Sequence, residues 1–347
     1  MSILHICNTF FDLELSKQPF PPLEQAFNLH EVFLQLQFLP FLYASTEEEV
    51  LVSFAPEDHF WKRLHSPPKL RLVEETSFSS DLSIEVWGHS PTILEWAKKR
   101  GLTYQMPPWP VVQQVNSKAF SFEACPLPGG QLIHNESELK QWLRTLRGEA
   151  VLKTCFGTAG RGHLLFKEIN DPKLKIFAEQ EWQQGRAVIG EPWMRRVLDF
   201  STQWEISNTK EIRKIGSTLC HNDPKGRYRQ NSVGDTKTLF GVHVEKVEEQ
   251  ERFVQKVLSK IALLGYFGNV GIDAMIYENE RGALQLHPIV EINARKTMGW
   301  AALAIQKKHF PGKNVRLAFT KNKEAGILPL FAKQKVPFSR YIEITII

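Results

Sequence analysis

The segment AVLKTCFGTAGRGHLLF, residues 150–166, constrains the fold more than any other. Two apolar, strand-like runs flank a stretch with glycines at 157, 160 and 162, so the chain must turn through a hairpin whose tip has bare backbone at three of six positions. Such a tip lets backbone amides approach a ligand and point at an anion. Lys153 lies on the first of the two runs. The Lys-Ser/Thr pair of a P-loop does not follow the glycines, and a strand follows them where a dinucleotide-binding unit would have a helix. Two readings remain: a glycine-rich hairpin closing over phosphates with Lys153 as a point charge, or an ordinary turn beside a surface lysine.

The surrounding pattern is rich in strands. AVLKTCF, RAVIGEPWM, DFSTQWEIS, EIRKIGSTLC, NVGIDAMIY and ALQLHPIVEINAR are separated by polar or glycine-containing turns. Two helices stand among them: DPKLKIFAEQEWQQ, begun by Asp171 and Pro172, and EEQERFVQKVLSKIALLG, with Phe253, Val254, Val257, Leu258, Ile261 and Ala262 at helical spacing. The cluster PPWP at 107–110 marks a boundary. Before it, EVLVSFAP and LSIEVWG read as strands, and SPTILEWAKKRG as a helix capped by Ser90, opened by Pro91 and ended by Gly101. These segments make a small α/β unit. The first 60 residues carry 9 of the 23 phenylalanines, a phenylalanine-rich core or subunit contact. At the other end, RYIEITII reads as a terminal strand.

NVGIDAMIY and ALQLHPIVEINAR, joined by the turn-forming ENERG, form an antiparallel hairpin whose register places Asp273 near Glu291. Asn293, two residues on, shares the face of Glu291, and Arg295 continues it. Two carboxylates and an amide oxygen are hard ligands suited to Mg²⁺, and an arginine beside them can neutralise a transferring phosphoryl group. Acids flanked by Ile272, Ala274, Val290 and Ile292 are costly unless paired or metal-bound.

Composition narrows the classes. With 347 residues, 42% hydrophobic and 23% charged, the chain is long enough for two or three domains, and disorder and fibres are excluded. A net charge of +5 is too small and too evenly spread for a nucleic-acid partner but suits an anionic small ligand. The 4 cysteines, at 7, 125, 155 and 220, lack any CxxC spacing, which favours a reducing compartment. No basic region precedes the first apolar stretch, and Val32–Tyr43 is too short to span a bilayer. A cytoplasmic protein without a membrane partner is expected.

VLKTCFGTAGRGH, IGEPWM, GIDAMIY and EINAR, in this order and at these separations, resemble the motifs of the ATP-grasp superfamily of carboxylate–amine ligases over roughly residues 111–305. The resemblance implies an α/β (α+β) fold. An ATP-grasp module over 111–347 would comprise two α+β subdomains, about 111–188 with the glycine loop and about 189–347 with the metal and substrate groups. A Rossmann-like α/β domain over 1–110 would precede it. Lys118, in VNSKAF, and Lys153 would meet the phosphates of ATP, with Gly157, Thr158, Ala159, Gly160 and Gly162 closing over them. Glu191, Pro192, Trp193 and Met194 would bind the adenine edge, mainly through the backbone. Asp199, one residue beyond the family's spacing, would bind the ribose. Asp273, Glu291 and Asn293 would hold two Mg²⁺ ions, or Mn²⁺ in their place, and Arg295 would face an acyl phosphate. Gly271 stands where some peptide-forming members carry arginine, which sets the chain apart from the D-alanine ligase type.

The loop HNDPKGRYRQNSVG, residues 221–234, is expected to touch the substrate. Lys225, Arg227 and Arg229 would recognise a carboxylate, with Arg229 joining Lys153 and Arg295 in catalysis; a solvated basic hairpin tip is the alternative. The expected activity is ATP-dependent joining of a carboxylate to an amine, both amino-acid or peptide-like, by a monomer or homodimer. A phosphotransferase on the same scaffold and a non-catalytic ATP-binding regulatory protein are the competing readings.

Overall fold

Three groups of strand-forming sequence settle into three separate sheets in the computed structural model, which describes residues 2–17, 19–157 and 162–347. The first sheet is parallel: β1 (Ile3–Ile6), β2 (Glu49–Val52), β3 (Lys69–Leu72) and β4 (Ser83–Val86), in the order β3-β2-β1-β4. Its central strand, β1, is only ILHI, and no local cap or turn signal marks it. After β4 the helix Pro91–Lys99 forms as the sequence expects: Ser90 accepts the N–H of Ile93, and Gly101 takes φ +67° beyond its end.

The second sheet is antiparallel, with β5 (Gln131–Ile133), β6 (Ala150–Lys153), β7 (His163–Phe166) and β8 (Val188–Pro192) in the order β5-β8-β6-β7. Helices Glu136–Leu143 and Pro172–Trp182 cover it through Leu139, Trp142, Leu174 and Ala178. Trp142 lies so close to β8 that a Cβ at Gly190 would come within 2.7 Å of its ring.

The third sheet has seven strands, β9 (Arg195–Ile206), β10 (Ile212–Asn222), β11 (Tyr228–Val233), β12 (Gly268–Glu278), β13 (Leu284–Asn293), β14 (Val315–Thr320) and β15 (Tyr341–Ile346). They run in the order β13-β12-β9-β10-β11-β14-β15. The helix Val244–Leu263 buries Val247, Val254, Leu258 and Ile261, and starts ahead of the segment read from sequence at Glu248. Phe253, counted there with the apolar stripe, is 42% exposed. Val254 takes the core-facing position beside it, and neighbouring positions on a helix cannot both face one surface. No helix of the described residues is long and apolar enough to cross a membrane.

The phenylalanines of the first third serve as core. Phe38, Phe41 and Phe60 meet largely edge to face or stacked, and their cluster continues into Trp87, Ala301, Ile305, Leu317 and Ile342. The first sheet therefore shares one apolar core with helix Met298–His309 and with β14 and β15. A polar clasp reinforces the join. Lys296, 1% exposed, pairs with Glu85 of β4, lies 4.2 Å over the Trp300 ring, and donates its N–H to the Trp87 carbonyl at 2.8 Å. His5 of β1 sits between Glu48 and Glu85, at 2.9 and 3.4 Å.

His89, just past β4, has its ring stacked on Tyr104, with Nδ1 2.8 Å from the tyrosine hydroxyl. Burial, helped by the charge of Lys296, holds its pKa down from 6.5 to about 4. A base whose pKa is depressed by folding contributes stability above its unfolded value and loses that contribution as pH falls toward its folded value. Thermal melts are therefore expected to show stability falling between pH 6.5 and about 4, with a shallower fall in His89→Gln. An equal slope in the variant would show that other groups carry the acid sensitivity.

Candidate active site

Alternation along the strands of the third sheet puts every second side chain on one face. The pairing of β12 with β13 sets Asp273 opposite Glu291 and Gly271 opposite Asn293, the register expected from sequence. On the other side of β12, β9 sets Ser201 beside Asp273 and Gln203 beside Gly271. Asn293 Nδ2 donates to Asp273 Oδ2 at 3.1 Å, while its amide oxygen accepts from Arg295 Nη2 at 2.9 Å. Burial and the neighbouring Glu291 charge push the Asp273 carboxyl up to about 6. Burial presses Glu291 upward too, but Lys118 and Arg295 outweigh it and hold that carboxyl below its ordinary value.

A cavity of about 320 Å³ opens over this face. Among the described residues, the Lys and Arg side chains lining it are Lys118, Lys153, Arg196 and Arg295, and each is paired with a carboxylate. Lys118 pairs with Glu291, Lys153 with Glu191, Arg196 with Asp199 at 3.0 Å, and Arg295 with Asp12 at 2.7 Å. Lys118 stands at the first position of helix Lys118–Ala124, whose cap Ser117 accepts the N–H of Ala119, and its own N–H donates to the Cys155 carbonyl. One hydrogen bond thus ties the Lys118 backbone to the segment leading into the glycine hairpin.

Of the expected nucleotide residues, Lys118, Lys153, Gly157, Gly162, Trp193 and Asp199 line the cavity, whereas Glu191, Pro192 and Met194 do not. Thr158, Ala159, Gly160 and the adjoining Arg161 lie outside the described residues. Gly162 takes φ +82°, and a Cβ there would meet Thr154 Oγ1 at 2.5 Å, so the base of the hairpin requires glycine. Trp193 lines the cavity under the Arg196 guanidinium, 4.9 Å away. Its backbone N–H donates to the Glu149 carbonyl at 2.8 Å and is thereby occupied within the protein. Glu191 lies behind Lys153, Pro192 ends β8, and Met194 packs with Leu127, Met275 and Tyr277. Asp199 is held by Arg196 and by Asn222 Nδ2, each at 3.0 Å.

The basic loop behaves differently from expectation. Arg227 and Arg229 fold back onto Asp223 at 2.9 and 3.0 Å and stay half-exposed, and Lys225 is exposed. The cavity is met instead by Gly226 and Tyr228 of that loop. His163 Nε2 lies 3.0 Å from the Lys225 carbonyl, so the glycine hairpin and this turn touch. Asp12, Arg196 and Gln203 join the site without having been marked in the sequence, while Tyr228 and Asn231 belong to the 221–234 loop that was. Asp12 pairs with Arg295 across 283 residues, a separation that no local pattern reports.

Gly271 explains its own departure from arginine. A Cβ there would come within 2.6 Å of Thr297 Cγ2 and 3.0 Å of Gln203 Oε1. Thr297 caps helix Met298–His309 and donates to Gln203 at 2.8 Å, so the start of that helix occupies the space an arginine would need.

No family model matches the sequence, and no curated protein matches it. Solved structures do. N5-carboxyaminoimidazole synthetase from Staphylococcus aureus, complexed with ADP, is 12% identical, with a TM-score of 0.53 over 99% of this chain and 93% of that one. Biotin carboxylase from Campylobacter jejuni is 12% identical, with a TM-score of 0.51 over 97% of this chain and 77% of that one. Pyruvate carboxylase from Rhizobium etli is also 12% identical, with a TM-score of 0.54 over 93% of this chain, which spans only 31% of that longer chain. At such identities the likeness is one of architecture. The chain has the ATP-grasp fold, a mixed α/β arrangement of parallel and antiparallel sheets.

Gly271→Ala is expected to lower stability by about 1–3 kcal/mol, the usual cost of forcing a methyl group into a packed site. Chemical denaturation measures it, and an unchanged midpoint would show that the start of helix Met298–His309 yields.

Proposed function

We propose that the protein is an ATP- and Mg²⁺-dependent ligase that activates a carboxylate as an acyl phosphate, releases ADP, and joins the acyl group to an amine. The observation that carries this reading is the gathering of the Asp273–Glu291 pair, Lys118, Lys153 and Arg295 around one cavity. The donor set fits a hard divalent cation: two half-buried carboxylates stand opposite each other at the cavity, and burial and the Glu291 charge push Asp273 up. Asp273 and Glu291 would hold the ion, joined by Asn293 once its amide turns its oxygen from Arg295. When bound, Mg²⁺ supplies charge neutralisation on the phosphate oxygens. The ADP complex of the similarly folded N5-carboxyaminoimidazole synthetase and the β,γ-ATP complex of biotin carboxylase support a nucleotide as the ligand.

In the first step the substrate carboxylate oxygen attacks the γ-phosphorus, the bond to the bridging oxygen breaks, and ADP leaves. Lys118 and Lys153 exchange Glu291 and Glu191 for phosphate oxygens, so charge stays balanced as the nucleotide enters. Arg295, fixed by Asp12, stabilises the acyl phosphate. The amine then attacks the acyl carbon, phosphate departs, and the amine's surplus proton passes to phosphate or solvent. An acyl phosphate must be kept from water, and the contact between His163 and the Lys225 carbonyl supports closure of the glycine hairpin against the 221–234 turn. On this reading residues 1–110 form the preceding α/β domain and 111–347 the ATP-grasp module.

Lys153→Ala and Glu291→Ala should each reduce ADP release by about 10²–10³-fold or more, with circular dichroism unchanged. Near-normal release from either variant would sink the assignment. The substrate pair is found by screening acids against amines with Mg²⁺ and weighing the product: an amide supports the ligase, and a phosphorylated acceptor makes the protein a phosphotransferase.

A further inference from the structure

The cavity has two chemically distinct ends. One holds the ion pairs, with Gly157 and Gly162 beside them. The other is walled by Val32 and Leu36 of helix Glu31–Leu36, by Trp87 after β4, by Met298 and by Phe319 of β14. These five belong to one packed apolar cluster, so they form a single wall although they come from four separate parts of the chain. Tyr228 joins it, its ring edge-on to Phe319 with centroids 6.2 Å apart.

Two polar atoms of residues lining the cavity are left unsatisfied, both shielded from water by the side chains around them. Tyr228 and Asn231 share the cavity face of β11, since they pair with Asn222 and Cys220 on β10. Asn231 is 3% exposed; its Nδ2 donates to Thr218 Oγ1 at 3.2 Å, which fixes the amide, while its Oδ1 and the Tyr228 hydroxyl find no partner among the described residues. A buried acceptor and a buried hydroxyl without partners each carry a desolvation cost that a ligand can relieve. The lining cations are all engaged with carboxylates, and Arg227 and Arg229 face away onto Asp223. A charged tip would therefore enter an apolar recess without a counter-ion, at considerable cost.

We propose that this end binds the side chain of one of the two substrates, and that this side chain is an aromatic body with a neutral hydrogen-bonding tip, such as a phenol. The ring packs against Val32, Trp87 and Phe319, and the tip donates to Asn231 Oδ1 and shares a hydrogen bond with the Tyr228 hydroxyl. The inference rests on the ligase reading for its place in the reaction, but the recess can bind its ligand without turnover.

The test is equilibrium binding to the full chain with ADP and Mg²⁺ present, by calorimetry or ligand-observed NMR, using L-tyrosine, L-phenylalanine and L-glutamate as probes. Tyrosine is expected to bind tightest, phenylalanine at least about tenfold more weakly because the polar pair is left unpaired, and glutamate weakest. Tyr228→Phe should narrow the gap between tyrosine and phenylalanine. Val32→Asp, at a half-buried position, should weaken both aromatic probes at least about tenfold, with ADP binding retained as evidence of folding. Glutamate binding as tightly as tyrosine, aromatic probes that fail to bind at millimolar concentration, or a Val32→Asp variant with unaltered affinity would each overturn the proposal. If aromatic probes bind but no acid and amine pair ever elicits ADP release, the recess stands and the ligase reading falls. If a small or acidic pair elicits ADP release while the aromatic probes are inert, the ligase reading stands and the recess assignment falls.

Discussion

Asp273 and Glu291 face each other across two antiparallel strands in a buried setting, and the remainder of the site is organised around that opposition. Two carboxylates held together away from water repel and lose hydration, so the fold must supply positive charge or a hydrogen atom to each. It does so from three directions: Lys118 from a helix start, Arg295 from beyond the end of β13, and Asn293 from the strand itself. The outcome is a set of cations that are already engaged before any ligand arrives. A polyanion entering with a divalent cation would exchange partners within this set, so little net charge would need to be moved from water into the protein.

The first sheet is what gives this electrostatic face a second wall. Trp87 lies at the end of β4, its carbonyl holds the Lys296 N–H, and Lys296 in turn pairs with Glu85 of the same strand. Because Arg295 and Lys296 are neighbours, the clasp that joins the first sheet to the third also aims the arginine at Asp12. The phenylalanine-rich helices then bring Val32 and Leu36 to the cavity's far wall through the shared core. Packing at one end and charge at the other are therefore consequences of the same docking of helix Met298–His309. That docking depends on bare backbone at Gly271, Gly216 and Gly299, where a Cβ would lie within 3.0 Å of Thr297, Leu303 or Thr218.

Much of this was legible in the sequence. The capped helices at Ser90 and Asp171 formed where their signals stood, and the hairpin of β12 and β13 formed in the register that its apolar alternation and its turn demanded. The glycine hairpin's strands, β6 and β7, followed from their apolar runs. Phe253 went astray because periodicity identifies an apolar stripe without fixing its edge, and packing against the sheet selected Val254. The arginines of the 221–234 turn were legible only as a basic cluster, without the partner they take. Asp223 at the start of the same turn lies within reach of both guanidinium groups and takes them.

What the sequence determined by itself is therefore local: which segments are strands or helices, where they begin, and which side chains share a face, because these follow from backbone geometry over a few residues. Only the tertiary structure decided which charges meet. Arg295 finds Asp12 from 283 residues away and Lys118 finds Glu291 from 173, and neither distance carries any periodic signal. The same holds for the apolar recess, whose wall is drawn from the first helices, the end of β4, the helix after β13 and β14. Those residues read as ordinary core in the sequence, and become a cavity wall only because the sheets stop short of filling the space between them.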